Sequence, residues 1–300
     1  MKQVLSTRKH RIGFFRKAKD LLIARELRDR ANELNAERGM PIVVFGNDWL
    51  GIMINIDGAY EKQYLDDLKS IISQNNIETK TAIDIGANIG NHSLIFSSIF
   101  DSVVAYEPNP RVFNVLKANS DLINNLKVHN FGCSNTDRNI DLHENFANIG
   151  SSSAIHSIGS DSTVKINVRP LDDLADELTA VSFIKIDVEG MELECLEGSQ
   201  KIISKFKPLI MLEQLEQEFS SEYRETAAID WLRNNGYKIF ALEKDPEISV
   251  TRRILNLLKI AVFPEETRKI VEYEKLPRAK YNALYAIHSE AVAEKLRSRE

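Results

Sequence analysis

A doubly wound α/β fold with a seven-stranded, mostly parallel sheet is predicted by three features of the sequence. From Thr81 onward, short apolar runs alternate with segments of helical spacing, the pattern of βαβ units. The first of these runs ends in a glycine-containing turn that opens directly into a helix. The 300 residues, 43% hydrophobic and 28% charged with two cysteines, suit one large or two small globular domains and exclude fibrous, disordered and disulfide-stapled chains.

Residues 14–34 repeat apolar positions at Phe14, Leu21, Leu22, Leu27 and Leu34 among many charges, which predicts an amphipathic helix ended by Gly39-Met40-Pro41. The runs PIVVF and LGIMINI, joined by GNDW, predict a hairpin, and a helix follows from about Tyr60 to Ser73. Strands are then expected at 81–85, 102–107, 127–131, 181–187, 208–213, 237–242 and 283–288. Helices are expected over 109–124, 191–205 and 222–235, with Gly236 at a helix C-terminus. NIDLHE and STVKINVRP predict an inserted antiparallel β-hairpin around the Ser/Gly-rich stretch NIGSSSAIHSIGSD. The resulting division is an N-terminal helical extension, 1–38, a catalytic α/β domain, 39–290, with an insertion at 245–280, and a tail, 291–300.

The net charge of −5 hides an asymmetry. Residues 1–19 carry seven basic side chains and no acid, which leaves −12 for the remainder. So local a basic charge does not suggest a chain that wraps nucleic acid. No apolar run is long enough to span a membrane, no secretory signal is present, and Cys133 and Cys195 lack metal-site spacing. Two buried thiols in a reducing, cytoplasmic compartment are the expectation.

The chemistry concentrates in TAIDIGANIGNHS. A strand ending at Asp84 gives way to Gly86, Asn88 and Gly90 and then to a helix, whose N-terminus offers free N–H groups. The G-x-N-x-G spacing departs from the dinucleotide fingerprint, which disfavours a nicotinamide oxidoreductase. Asn88 is the non-glycine residue that best tolerates a left-handed backbone. Twenty-one residues after Gly86, AYEPNP places Glu107 at a strand tip, where a carboxylate accepts hydrogen bonds from ribose hydroxyls.

DIGANIGNHS, AYEPNP, RPLDDL and FIKIDVEGMELECLEGS followed by KPLIMLE resemble, in order, the FkbM family of S-adenosylmethionine-dependent methyltransferases, over about residues 50–215. The resemblance implies a class I, Rossmann-like sheet, S-adenosyl-L-methionine as cofactor, and O-methyl transfer to a hydroxyl of a sugar, polysaccharide, glycolipid or secondary metabolite such as a polyketide. Carried over by position, it implies that Asp84, Gly86, Ala87, Asn88, Gly90 and Asn91 line the methionine and ribose side. Glu107 and Pro108 would flank ribose and adenine, Cys133 and Ser134 the adenine edge, and Asp187 the sulfonium.

In FIKIDVEGME, Lys185 and Asp187 share one face of the strand and point where the acceptor must meet the methyl group. Asp187, Glu189, Glu213 and His156 are the candidates for orienting or deprotonating a hydroxyl, with His156 in the Ser/Gly-rich loop as part of a lid. His92 is a further base candidate, with packing on its helix the favoured expectation. Asp187 and Glu213 are also candidate ligands for a divalent metal, although no third or fourth ligand is evident. IDVEG stands where base-amine methyltransferases carry Asn/Asp-Pro-Pro-aromatic, which disfavours nucleic acid and favours a small-molecule or glycan acceptor. The basic helix at 14–34 and a second such segment at 252–263 suit an anionic membrane surface, with peripheral attachment at its inner face; packing on the body or in a homodimer is the other expectation. A non-catalytic adenosylmethionine-binding partner domain is a further alternative.

Overall fold

A computed structural model describes residues 14–144, 162–219, 225–244 and 268–288. The helix pattern at the N-terminus forms α1 (Phe14–Arg38), followed by α2 (Trp49–Asp57) and α3 (Lys62–Asn75). The alternating region supplies β1 (Thr81–Ile85), α4 (Asn91–Phe96), β2 (Ser102–Tyr106), α5 (Pro110–Ser120) and β3 (Leu126–His129). A short strand β4 (Gly132–Cys133) and the pair β5 (Arg138–Glu144) and β6 (Ser162–Arg169) come next. The chain continues through β7 (Val181–Ile186), α6 (Glu192–Glu197), α7 (Gln200–Phe206), β8 (Leu209–Gln214), α8 (Ala227–Asn234), β9 (Lys238–Lys244), β10 (Arg268–Tyr273) and β11 (Tyr281–Ile287).

The main sheet runs β10-β9-β11-β8-β7-β1-β2-β3. Strands β3, β2, β1, β7, β8 and β9 share one direction, and β11 and β10 oppose them. It has eight strands rather than seven, because the 245–280 insertion contributes β10. Strand order reverses between β1 and β7, and a crevice forms beyond the carboxyl ends of strands at such a point.

Alternation along each strand feeds two cores. Ile83, Ile85, Ile184, Ile186, Ile210 and Leu212 meet α6, α7 and α8 on one face. Ala82, Val103, Ala105, Phe183, Met211 and Tyr285 meet α3, α4 and α5 on the other. The small sheet β4-β6-β5 contains the expected antiparallel pair and covers one end of the crevice.

The expected hairpin at 41–57 is instead an extended segment followed by helix α2. The Ile-rich run reads as a strand by composition. Yet its buried positions, Gly51 and Ile54, are three apart while Ile52 and Ile56 face solvent, a helical rather than an alternating period. The helix expected over 191–205 is divided at Gly198. A Cβ there would lie 2.0 Å from Ser134 O, so backbone passes where a side chain would stand.

The last third of α1 belongs to the body. Leu34 is buried, Arg30 Nε donates to Ile56 O at 2.9 Å, and Arg38 Nη1 donates to Gly58 O at 2.6 Å. Earlier in the helix Leu21, Leu22, Ile23 and Leu27 are exposed. Among the described residues no helix is long and apolar enough to cross a membrane. The basic residues before Phe14, the 252–263 segment, His156 and the 291–300 tail lie outside the described residues.

Candidate active site

A cavity of about 330 Å³ opens at the carboxyl ends of β1, β2, β7 and β8. Its floor is the turn after β1. Gly86 has φ +77°, and a Cβ on it would stand 1.8 Å from Asp187 O; the turn after β1 and the end of β7 touch backbone to backbone. Asn88 adopts φ +52°, the left-handed conformation expected of it. Gly86 and Ala87 both donate their N–H to Tyr106 O at 3.0 Å, which ties the turn to β2.

Glu107 lies at the tip of β2 and lines the cavity. Its Oε2 accepts the Asn88 N–H at 3.0 Å and its Oε1 accepts the Asn109 N–H at 2.8 Å. Burial pushes its carboxyl up to about 7 against the pull of those two donors. Pro108, Val112, Gly132, Cys133, Leu142, Ile166 and Val168 make the adjoining wall, which is largely apolar. Both cysteines are free and buried, as expected, and the Cys195 thiol donates to Cys133 O at 3.0 Å.

At the opposite end stands a group of charges gathered from distant parts of the chain. Asp187 Oδ2 is 3.0 Å from Lys185 Nζ, and Lys185 reaches Asp84 Oδ1 at 3.6 Å across the β1–β7 ladder, where Asp84 and Lys185 are in register. Burial would raise the Asp187 carboxyl, but Lys185 outweighs it and holds Asp187 below the usual range. Glu213 Oε1 pairs with Lys280 Nζ at 2.8 Å; burial and the nearby Asp187 charge push Glu213 up to about 7. Glu189, with φ +54°, also lines the cavity.

Glu61 and His92 complete this end. His92 Nε2 lies 3.5 Å from Glu61 Oε2, and burial takes the imidazole down to about 3, so the ring is neutral at neutral pH. Burial and Asp187 push Glu61 up to about 7, with Lys185 and Lys280 pulling the other way.

Of the residues chosen from sequence, Gly86, Ala87, Asn88, Asn91, Glu107, Pro108, Cys133, Asp187, Glu189 and Glu213 line the cavity. Asp84, Gly90 and Ser134 do not. Asp84 is enclosed beneath the floor, accepting from Ser93 Oγ at 2.6 Å. Gly90 caps the N-terminus of α4 with φ +92°, and the Ser134 hydroxyl donates to Glu194 at 2.7 Å. The Asn91 side chain is committed to protein: it accepts the Tyr60 N–H and donates to Tyr60 O, each at 2.9 Å.

Asp187 and Glu213 do not fit a divalent cation. Each already holds an ammonium, and among the described residues no group of three or more His, Cys, Asp or Glu could hold a metal. Sequence reasoning missed Trp49, Tyr60, Glu61 and Lys280, which come from outside the motifs, and it favoured packing over base chemistry for His92. The ring does stack on Phe96, but it also faces the cavity.

Comparison with known proteins places residues 84–239 in the methyltransferase FkbM domain family. The hexuronic acid methyltransferase AglP of Haloferax volcanii is 31% identical over 118 residues, covering 38% of this chain and 48% of AglP. The matched part thus spans about half the length of that relative. Among solved structures, methyltransferase FkbM from Methylobacillus flagellatus aligns at 16% identity over 85% of this chain and 69% of its own, with a TM-score of 0.40. A putative caffeoyl-CoA O-methyltransferase from Staphylococcus aureus aligns at 12% identity over 81% and 93%, with a TM-score of 0.42.

Proposed function

The chain belongs to the FkbM methyltransferase family, and on that premise we propose that it transfers a methyl group from S-adenosylmethionine to a hydroxyl of a sugar carried in a glycan or glycolipid. The observation that carries this reading is the position of Glu107: a buried carboxylate at the β2 tip, beside the glycine turn and across one cavity from Asp187.

The crevice residues suit that cofactor. An ionised carboxylate has about four acceptor sites; Asn88 and Asn109 occupy one on each oxygen of Glu107, which leaves one on each for a ribose diol. The wall of Pro108, Val112, Leu142, Ile166 and Val168 offers a flat base an apolar surface. Glu61, Glu107, Asp187, Glu189 and Glu213 face Lys280 and the Lys185 beside Asp187, so the lining becomes negative as the carboxyls raised to about 7 ionise, a field that favours a cationic ligand. When bound, adenosylmethionine supplies a methyl group on an already activated sulfonium. The chain's own task is then alignment and proton removal.

A sugar acceptor is supported by Trp49, a largely exposed indole among the lining residues whose flat apolar face suits a pyranose ring. The named activity of AglP, a hexuronic acid methyltransferase, points the same way. Calorimetry with adenosylmethionine and adenosylhomocysteine, paired with turnover on uronic-acid-bearing glycans, tests the reading. Glu107→Ala should weaken cofactor binding about 30-fold, corresponding to about 2 kcal/mol for lost hydrogen bonds to a charged group. Absence of binding, or binding indifferent to Glu107→Ala, would refute it. Turnover confined to small polyketide-type alcohols would transfer the activity to that acceptor class.

A further inference from the structure

Resting on the methyltransferase reading, we propose that Glu61 is the group that takes the acceptor's proton, held in place by an Asn91 clamp, with the neutral His92 ring beside it. Glu61 lies outside the 84–239 family match, on the turn that opens α3. Four observations converge on it. Its backbone is left-handed, φ +56°, a conformation that a non-glycine residue keeps only where its surroundings enforce it. The enforcement is visible next door: the Asn91 carboxamide grips the Tyr60 peptide through both its N–H and its C=O. Asn91 is also the first residue of α4, directly after the turn that floors the cavity, so the same residue that starts this helix delivers the acidic turn to the crevice.

The third observation is the setting of the carboxylate, which lines the cavity with its side chain only 18% exposed. The fourth is His92. Its Nε2 makes no hydrogen bond to protein yet stands 3.5 Å from Glu61 Oε2, inside the same cavity.

The other carboxylates are less suited to the task. Asp187 is held ionised by Lys185, which makes it a weak base, and Glu213, raised to about 7 like Glu61, differs from it in being paired with Lys280 at 2.8 Å. Glu61 titrates close to neutrality, where a general base works best. The groups that act on it are His92 from α4, Lys185 and Asp187 from β7, and Lys280 ahead of β11; Tyr60 and Glu213 complete that end of the cavity. In the transfer, the acceptor O–H bond breaks and its proton passes to a Glu61 oxygen. The acceptor oxygen forms its bond to the methyl carbon, and the electron pair of the severed S–CH₃ bond stays on sulfur as a thioether. Glu61 then returns the proton to solvent.

The test compares wild type with Glu61→Gln and Glu213→Gln. In wild type, ¹³C-detected titration of the Glu61 carboxyl, with adenosylhomocysteine bound, should place its midpoint near neutrality. Glu61→Gln should bind adenosylhomocysteine within about twofold of wild type by calorimetry. It should nonetheless turn over about 10²–10³-fold more slowly on the glycan acceptor and, at saturating adenosylmethionine, lose the rise of rate with pH around neutrality. A Glu61→Gln enzyme that keeps this rise, or more than a fifth of wild-type turnover, would overturn the assignment. So would loss of the rise in Glu213→Gln alone, or a Glu61 midpoint in the ordinary carboxylate range. Wild-type protein that neither binds adenosylhomocysteine nor forms it would instead defeat the methyltransferase reading, and this assignment with it.

Discussion

Replacing Lys185 by methionine removes an ammonium set between two carboxylates, 3.6 Å from Asp84 Oδ1 and 3.0 Å from Asp187 Oδ2, with its side chain 3% exposed and that of Asp84 0%. At an effective dielectric of about 20, each attraction is worth about 5 kcal/mol. Most of that offsets the desolvation of the three groups, so the cost of Lys185→Met is set by the charge left behind. A buried pair broken on one side costs about 3–5 kcal/mol, and that is the expected loss near neutral pH. The sign with pH follows from the two acids. Burial already holds Asp84 above the ordinary carboxylate range, outweighing Lys185 and Ser93, so its ionisation costs stability as pH rises. Without Lys185 it moves further up. Asp187, now held below that range, loses the stability it contributes above it. The deficit of Lys185→Met should therefore shrink as pH falls toward about 4 and Asp84 takes up a proton. Urea unfolding followed by circular dichroism at several pH values measures it. A loss below about 1 kcal/mol at every pH, or one that grows on acidification, would refute the reasoning. Adding Asp84→Asn to Lys185→Met should recover part of the loss.

Two further outcomes are expected. Gly86→Ala must place a Cβ 1.8 Å from Asp187 O at φ +77° and should cost about 2–4 kcal/mol, from a left-handed alanine plus overpacking; an unchanged thermal midpoint would contradict it. Because Glu107 titrates at about 7 and must be ionised to accept two hydroxyls, adenosylhomocysteine affinity should be level above that pH. Below it, affinity should fall by up to about tenfold per unit, and calorimetry across that span finding a flat affinity would exclude the role.

The fold was legible where a strand is buried on both faces, because continuous apolar runs such as VVAY and LIML leave little choice. Where burial is partial, composition misled. β10 is half-buried along its whole length and reads RKIVEY, which gives no apolar run to recognise. The run LGIMINI looks like a strand, and only the close approach of Gly51 to Phe45 O, which would stand 2.2 Å from a Cβ at that position, explains why one helical face wins. The end of the cavity around β1 and β2 was legible because its parts are adjacent in sequence and tied to backbone requirements, as Asn88 and Glu107 are. The other end was legible only in part, through Asp187 and Glu213. Glu61, His92, Asp187, Glu213 and Lys280 span more than two hundred positions, and nothing in the local pattern of any one shows that the sheet order draws them together.

Among the described residues β10 ends the main sheet, and the end of a sheet is a template onto which another chain can add a strand. Here charge sits on that strand: Arg268, Lys269 and Glu272 interrupt Ile270, Val271 and Tyr273, and Lys269 lies opposite Glu243 of β9. Arg268 is further anchored to Asp67 of α3 at 2.8 Å and lies over the Tyr64 ring. The segment that adds the eighth strand thus protects the sheet against edge-to-edge aggregation. That charged edge comes from residues beyond the family match, and removing β10 would leave β9 to end the sheet.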